Sequence, residues 1–321
     1  MRAALAGILG RIGDFGLFAP PVVFVLGLAV PPLALLGQAV LIPCVILLQA
    51  MSVGLAEPGR IHGREWLPVL LLAACNLLGT PLLVHGIALA TGLDEAGGWL
   101  VLVAACPASG GAVLVASLLR LPVRPLLLSQ LLCFFALPLT APLVAGFVLQ
   151  GKVVSPFELL WRVVLMVAAP ALLGFLMCRL LGEHRRAVLA RPMRGLGVVA
   201  LCGITLSLAA GLPRLAVMPA VLGEAMVGLF LASLVGAALG MLSAAMMARG
   251  FVASFALGGA VRNVSLLWTA AIGLAPPEGE LVLMLGTLWT ILLPALLGLR
   301  FWRPLRLGWG ATLALLARIR T

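Results

Sequence analysis

The chain alternates long apolar runs with short polar punctuation. Leu, Val, Ala, Ile, Phe and Gly continue without a two-residue alternation through stretches long enough to span a bilayer, for which a helix needs roughly 20 residues. Ten such runs can be placed, at 15–36, 38–56, 66–91, 98–119, 125–149, 158–181, 195–212, 217–247, 252–274 and 281–302. Strands of a membrane barrel would alternate apolar and polar residues, so continuous runs predict helices. The expected fold is an all-α membrane protein with ten transmembrane helices. The runs consume nearly the whole sequence and leave no soluble domain, long linker or low-complexity tail. The opening stretch MRAALAGILGRIGDF reads as a short interfacial lead-in rather than a cleaved signal, because further spans follow it.

Composition agrees: 63% of the 321 residues are hydrophobic and 10% charged, unlike any soluble domain of that length. Charge placement sets the expected orientation. With the N-terminus in the cytoplasm, ten spans put Arg2, Arg11, Arg60, Arg64, Arg120, Arg124, Arg179, Arg185, Arg186, Arg191, Arg194, Arg249, Arg300, Arg303, Arg306, Arg318 and Arg320 on the inner side. Lys152 and Arg214 fall outside, together with Asp94, Glu95, Glu158, Glu278 and Glu280. This positive-inside pattern predicts a bacterial inner-membrane protein with both termini cytoplasmic. The net charge of +11 is then explained by orientation and by contact with anionic membrane lipids, not by nucleic acid.

Two apolar runs contain nearly the same words, Ala108–Leu119 (ASGGAVLVASLL) and Ala256–Leu267 (ALGGAVRNVSLL). A Gly-Gly pair inside a span is a poor helix and a good place to break one. Ten spans divide into five and five, with the words in the fourth span of each half. An odd number reverses the polarity of the second half, as an inverted repeat requires. The expected organisation is therefore a first five-helix repeat over 1–152 and a second, inverted one over 153–321. Helices 4 and 9 would be broken, near Pro107–Gly111 and Gly258–Arg262, and would cross near mid-membrane. The basic stretch from Glu183 to Arg194 is expected as a loop.

Few residues at membrane depth are polar. Gln49, Asn76, Thr80, Ser109, Gln130, Arg262, Asn263 and Ser265 are among them. The second word puts Arg262-Asn263 where the first has Leu114-Val115, and a charge at that depth is expensive enough to imply a role. Half-helices starting at the breaks would offer unpaired N–H groups and positive dipole ends, an anion site that Arg262 would strengthen. The competing reading is structural, with Arg262 bonded to carbonyls. The cysteines Cys44, Cys75, Cys106, Cys133, Cys178 and Cys202 form no CxxC and read as small buried hydrophobes, with a soft-metalloid path through Cys75, Cys106 and Cys133 as the alternative. His62, His85 and His184 do not cluster, so no metal site or cofactor is expected. No GxSxG, HExxH or Walker sequence occurs, and no enzyme activity is expected.

The same segments resemble the ten-span bacterial members of the bile acid:sodium symporter family. Leu47–Pro58 (LLQAMSVGLAEP), Cys75–Pro81 (CNLLGTP), Val103–Leu119 (VAACPASGGAVLVASLL), Ala256–Ile272 (ALGGAVRNVSLLWTAAI) and Leu285–Trp289 (LGTLW) carry the resemblance. It implies a five-helix inverted repeat, crossed broken helices and alternating access. At the positions that hold sodium in the family, this chain has Gly258 for a glutamate, Arg262 for a glutamine, and Ala112 and Val113 for a Ser-Asn pair; Asn76 stays polar. An arginine beside a cation site opposes it by direct repulsion, and the resemblance leaves two roles open for Arg262, binding substrate or taking the space and charge that bound sodium supplies in the family. The expected function is secondary transport of small organic anions, chiefly carboxylates, without sodium coupling. The expected substrate contacts are Asn76, Ser109, Gly110, Gly111, Arg262, Asn263 and Ser265. No obligate protein partner is expected. Sodium-coupled symport with altered ligands, arsenite-type efflux through Cys106, and a non-transporting membrane receptor remain as alternatives.

Overall fold

The computed structural model describes residues 2–14, 16, 18–54, 63–93, 96–119, 121–149, 155–215, 218–247 and 251–300. Every regular element among them is helical. In chain order these are α1 (Arg2–Asp14), α2 (Ala19–Ala29), α3 (Pro31–Gly54), α4 (Gly63–Ala74), a π-helical turn (Cys75–Gly79), α5 (Thr80–Thr91), α6 (Gly97–Ala104) and α7 (Gly110–Leu118). There follow α8 (Arg124–Val148), α9 (Pro156–Leu215), α10 (Pro219–Met247), α11 (Val252–Ala260), α12 (Val264–Ala271) and α13 (Pro277–Arg300). Among the described residues, seven stretches are long and apolar enough to cross a membrane: Pro31–Val53, Trp66–Thr91, Arg124–Val148, Phe157–Gly182, Ala187–Gly211, Pro219–Ala244 and Pro277–Leu296. Of the charges and histidines placed from sequence, Arg60, His62, Asp94, Glu95, Arg120, Lys152, Arg249, Arg303, Arg306, Arg318 and Arg320 lie outside the described residues.

The radial distribution is that of a membrane protein. Phe135 is 78%, Phe147 75% and Leu89 72% exposed, whereas Gln49, Asn76, Thr80, Gln130 and Asn263 are buried. Large apolar side chains outside and amides inside reverse the soluble pattern. All of α12 is buried, as is α6 apart from Gly98. The two interrupted helices thus occupy the centre, with long apolar helices around them.

Three boundaries differ from the sequence reading. The hydrophobic pattern divides the first two runs at 36–38, but α2 and α3 meet at Val30, where Pro31-Pro32 opens the new helix. Gly37 lies inside α3, and a Cβ there would collide with the Ser207 backbone of α9. The expected loop Glu183–Arg194 is helical; α9 consists of two limbs meeting at Gly182, whose φ of 65° and ψ of 173° only glycine adopts without strain. Polarity there marks solvent, not loss of helix. The third difference concerns the second break.

Candidate site at the crossing of two interrupted helices

Each interruption has a local cause. Pro107 lacks an N–H and disfavours helical geometry at Cys106, so α6 ends at Ala104. The chain stays extended to Ser109 (φ −71°, ψ 145°), whose hydroxyl accepts from Gly111 N at 3.0 Å and caps α7. In the second half, α11 ends at Ala260, Val261 is extended, and Asn263 stands at the start of α12. The two extended segments pair antiparallel, with Ala108 opposite Arg262. Ser109 N donates to Val261 O at 2.9 Å, and Asn263 N donates to Pro107 O at 2.7 Å. Each break therefore satisfies backbone groups that the other leaves without an intrahelical partner.

This pairing corrects the register taken from the repeated words. They set Ser109 against Leu257, whereas reciprocal hydrogen bonding makes Asn263 its counterpart. In the first half Gly110-Gly111 opens α7 after the break; in the second, Gly258-Gly259 lies within α11 before it. The second pair serves close approach rather than breakage. A Cβ on Gly259 would collide with the Gly236 carbonyl of α10, a Cβ on Gly236 with the Gly259 carbonyl, and one on Gly258 with the Leu126 side chain.

Arg262 is 3% exposed and turns into the protein. Its Nη1 donates to the peptide oxygens of Cys106 (3.1 Å) and Asn76 (3.3 Å), and its Nη2 to Thr80 Oγ1 (2.6 Å). Prolines explain why these carbonyls are available. Thr80 N bonds Cys75 O in the π-helical register, and the next donor in that register is Pro81, which has no N–H to give Asn76 O. Cys106 O has lost its helical partner because the chain leaves the helix at Pro107. Thr80 passes its own proton to Cys75 O at 2.9 Å and so presents a lone pair to Arg262.

Beside the guanidinium runs a buried amide chain. Gln130 Nε2 donates to Gln49 Oε1 (3.1 Å), Gln49 Nε2 to Asn263 Oδ1 (3.0 Å), and Ser265 Oγ to the same Asn263 oxygen (3.3 Å). Gly110 lets α7 sit on this chain, since a Cβ there would lie 2.6 Å from Gln49 Oε1. Both side-chain polar atoms of Asn76, Gln130 Oε1, Arg262 Nε and Asn263 Nδ2 are buried without a protein hydrogen-bond partner. Such groups cost stability unless something else meets them.

A narrow cleft of about 30 Å³ adjoins the crossing. Ser109, Gly111, Ser265, Thr287 and Thr290 give it polar edges, and Leu48, Val115, Leu201, Ile204 and Ile291 give it apolar walls. No carboxylate is among its described lining residues. Of the residues selected from sequence, Ser109, Gly111 and Ser265 line the cleft; Gly110, Asn263, Arg262 and Asn76 lie behind it in the crossing. Gln49, Gln130 and Thr80 are visible in the sequence as polar residues at membrane depth, but nothing there points to their role; the signal that singles out Thr80 is Pro81 directly after it. The cysteines of the alternative soft path each have a different partner: Cys75 Sγ lies 3.5 Å from Ser243 Oγ, Cys106 Sγ bonds Leu102 O, and Cys133 Sγ bonds Ala73 O. Among the described residues no three His, Cys, Asp or Glu side chains converge as a metal site would require. No protein-family model matches the chain, and no curated protein matches it.

Proposed function

We propose that this protein is a secondary transporter of small organic anions that works by alternating access, on the ten-span plan of the bile acid:sodium symporters but without sodium coupling. The observation that carries the reading is the pair of interrupted helices, joined backbone to backbone, beside a cleft that reaches both of their restarting ends at Ser109 and Ser265. Broken helices meeting in this way are a recurrent transporter device, since each half-helix aims its terminal dipole at a shared site. Seven long helices, the short α2, and the pairs α6–α7 and α11–α12 make up ten crossings in this reading. The two halves are then inverted repeats, and both termini lie in the cytoplasm of a bacterial cell.

The anion preference follows from what faces the cleft. The N-terminal turns of α7 and α12 bring the positive ends of two helix dipoles, and Arg262 behind them adds a full charge. Ser109 Oγ accepts from Gly111 N and donates no hydrogen bond among the described residues, which leaves its proton for a ligand oxygen. The apolar wall suits a short carbon skeleton.

The test is counterflow in proteoliposomes with a panel of labelled mono- and dicarboxylates, preceded by a thermal-shift screen with the same compounds. Saturable, sodium-independent exchange of at least one carboxylate is expected. Binding without flux would make the protein a receptor on this architecture. A screen in which no carboxylate raises the melting temperature would overturn the anion assignment.

A further inference from the structure

We infer that Arg262 is a built-in cation: its guanidinium permanently fills an oxygen-lined monovalent-cation site at the crossing, and shortening the side chain would open that site to a free cation. The three acceptors around the guanidinium are two peptide carbonyls and a threonine hydroxyl, with no carboxylate among them. The carbonyls are not incidental neighbours. Pro81 denies Asn76 O its π-helical donor, and Pro107 ends the helix that would have supplied one to Cys106 O. Converging neutral oxygens stripped of their own partners are what protein sites use to replace the hydration shell of a monovalent ion. The negative end of the α6 dipole adds to the same field. A buried arginine without such a surround would be strongly destabilising.

The site also spans the halves. Asn76, Thr80 and Cys106 precede the first break or lie on it, whereas Arg262 sits in the second break with its backbone paired to Ala108. The positive charge therefore ties the two interruptions together and does not depart. A cation gradient then has nothing to load or unload at this position. That consequence for coupling rests on the transporter reading; the occupancy of the site does not.

The experiment is thermal unfolding of full-length Arg262→Ala and of the native protein in choline chloride, with millimolar guanidinium, ammonium, sodium or potassium substituted at constant ionic strength. Arg262→Ala should melt several degrees below the native protein, and at least one of these cations, guanidinium first, should recover half or more of the loss with saturation. The native protein should gain nothing from any of them. Adding Thr80→Val to Arg262→Ala removes one oxygen and should weaken the rescuing cation several-fold. An alanine variant as stable as the native protein, or one that no cation rescues, overturns the inference. Should Arg262→Ala fail to purify, Arg262→Lys and Arg262→Met decide: lysine must melt above methionine, because it keeps the charge, and the reverse order refutes a cation site. Cation rescue in a protein that moves no anion in any vesicle would retain this inference and remove the transporter reading. Carboxylate flux with no rescue would do the opposite.

Discussion

Gly259→Ala isolates the contact that holds the second interrupted helix in place. Gly259 of α11 and Gly236 of α10 face each other so closely that a Cβ on either would strike the other's carbonyl oxygen. A Cβ on Gly236 would also come within 2.9 Å of Arg262 Nη2. In a helix interior the change from glycine to alanine gains about 0.8–1.0 kcal/mol from propensity. Against this, the helices must separate, and overpacking costs about 1–3 kcal/mol. Separation also stretches the bond from Ser233 Oγ to Ala260 O, now 3.2 Å, which is worth about 0.5–1.5 kcal/mol. The balance is a loss of about 1–3 kcal/mol, because backbone cannot yield as a flexible side chain does. At roughly 2–4 °C per kcal/mol, the scale for domains of 150–250 residues, the melting temperature should drop on the order of 5 °C. Thermal unfolding of purified protein in detergent measures this directly. Gly86→Ala in α5 is the control, since a Cβ there meets nothing within 4 Å and the change should be neutral or stabilising. If Gly259→Ala melts as high as Gly86→Ala, close approach is not why glycine stands there, and the explanation for the displaced break fails.

Gln49→Leu should cost about 1–3 kcal/mol, because it removes the partner of Gln130 Nε2 and one donor to Asn263 Oδ1; in a double-mutant cycle with Gln130→Leu the losses should be less than additive, and strict additivity would show that the amide chain is not a unit. Ser109→Ala should cost about 1 kcal/mol through loss of the α7 cap and should also weaken carboxylate binding in the thermal-shift screen, whereas an unchanged affinity would remove Ser109 from the ligand site. Orientation can be read from His184→Cys, which is exposed two residues past the Gly182 bend. In a background whose native cysteines are replaced, a membrane-impermeant maleimide should label it in inverted vesicles and not in intact cells. Labelling from the outside would reverse the topology.

Run length and composition determined the helical membrane class, because a bilayer-spanning helix satisfies its own backbone and needs only enough consecutive apolar residues to do so. The first interruption was legible as well: Pro43, Pro68, Pro138, Pro142 and Pro294 all stay inside helices, but Pro107 is followed at once by Ser109, a cap by its own chemistry, and by Gly110-Gly111. The second interruption was only approximately legible. Gly258-Gly259 could mean either a weak helix or a close contact, and the backbone of Gly236 on another helix decided in favour of contact. The loop expected at Glu183–Arg194 failed for a similar reason: charged residues report solvent, and helix geometry is indifferent to them on an exposed face. Arg262 stood out in the sequence as a charge at membrane depth, but its direction did not. Whether it faces a ligand cleft or the carbonyls of Asn76 and Cys106 depends on where those two carbonyls, 186 and 156 residues before it and each deprived of its helical donor by a proline, are brought by the crossing. A charge is a property of a residue, whereas the partner that balances it is a property of the fold, and only the packed structure brings the two together.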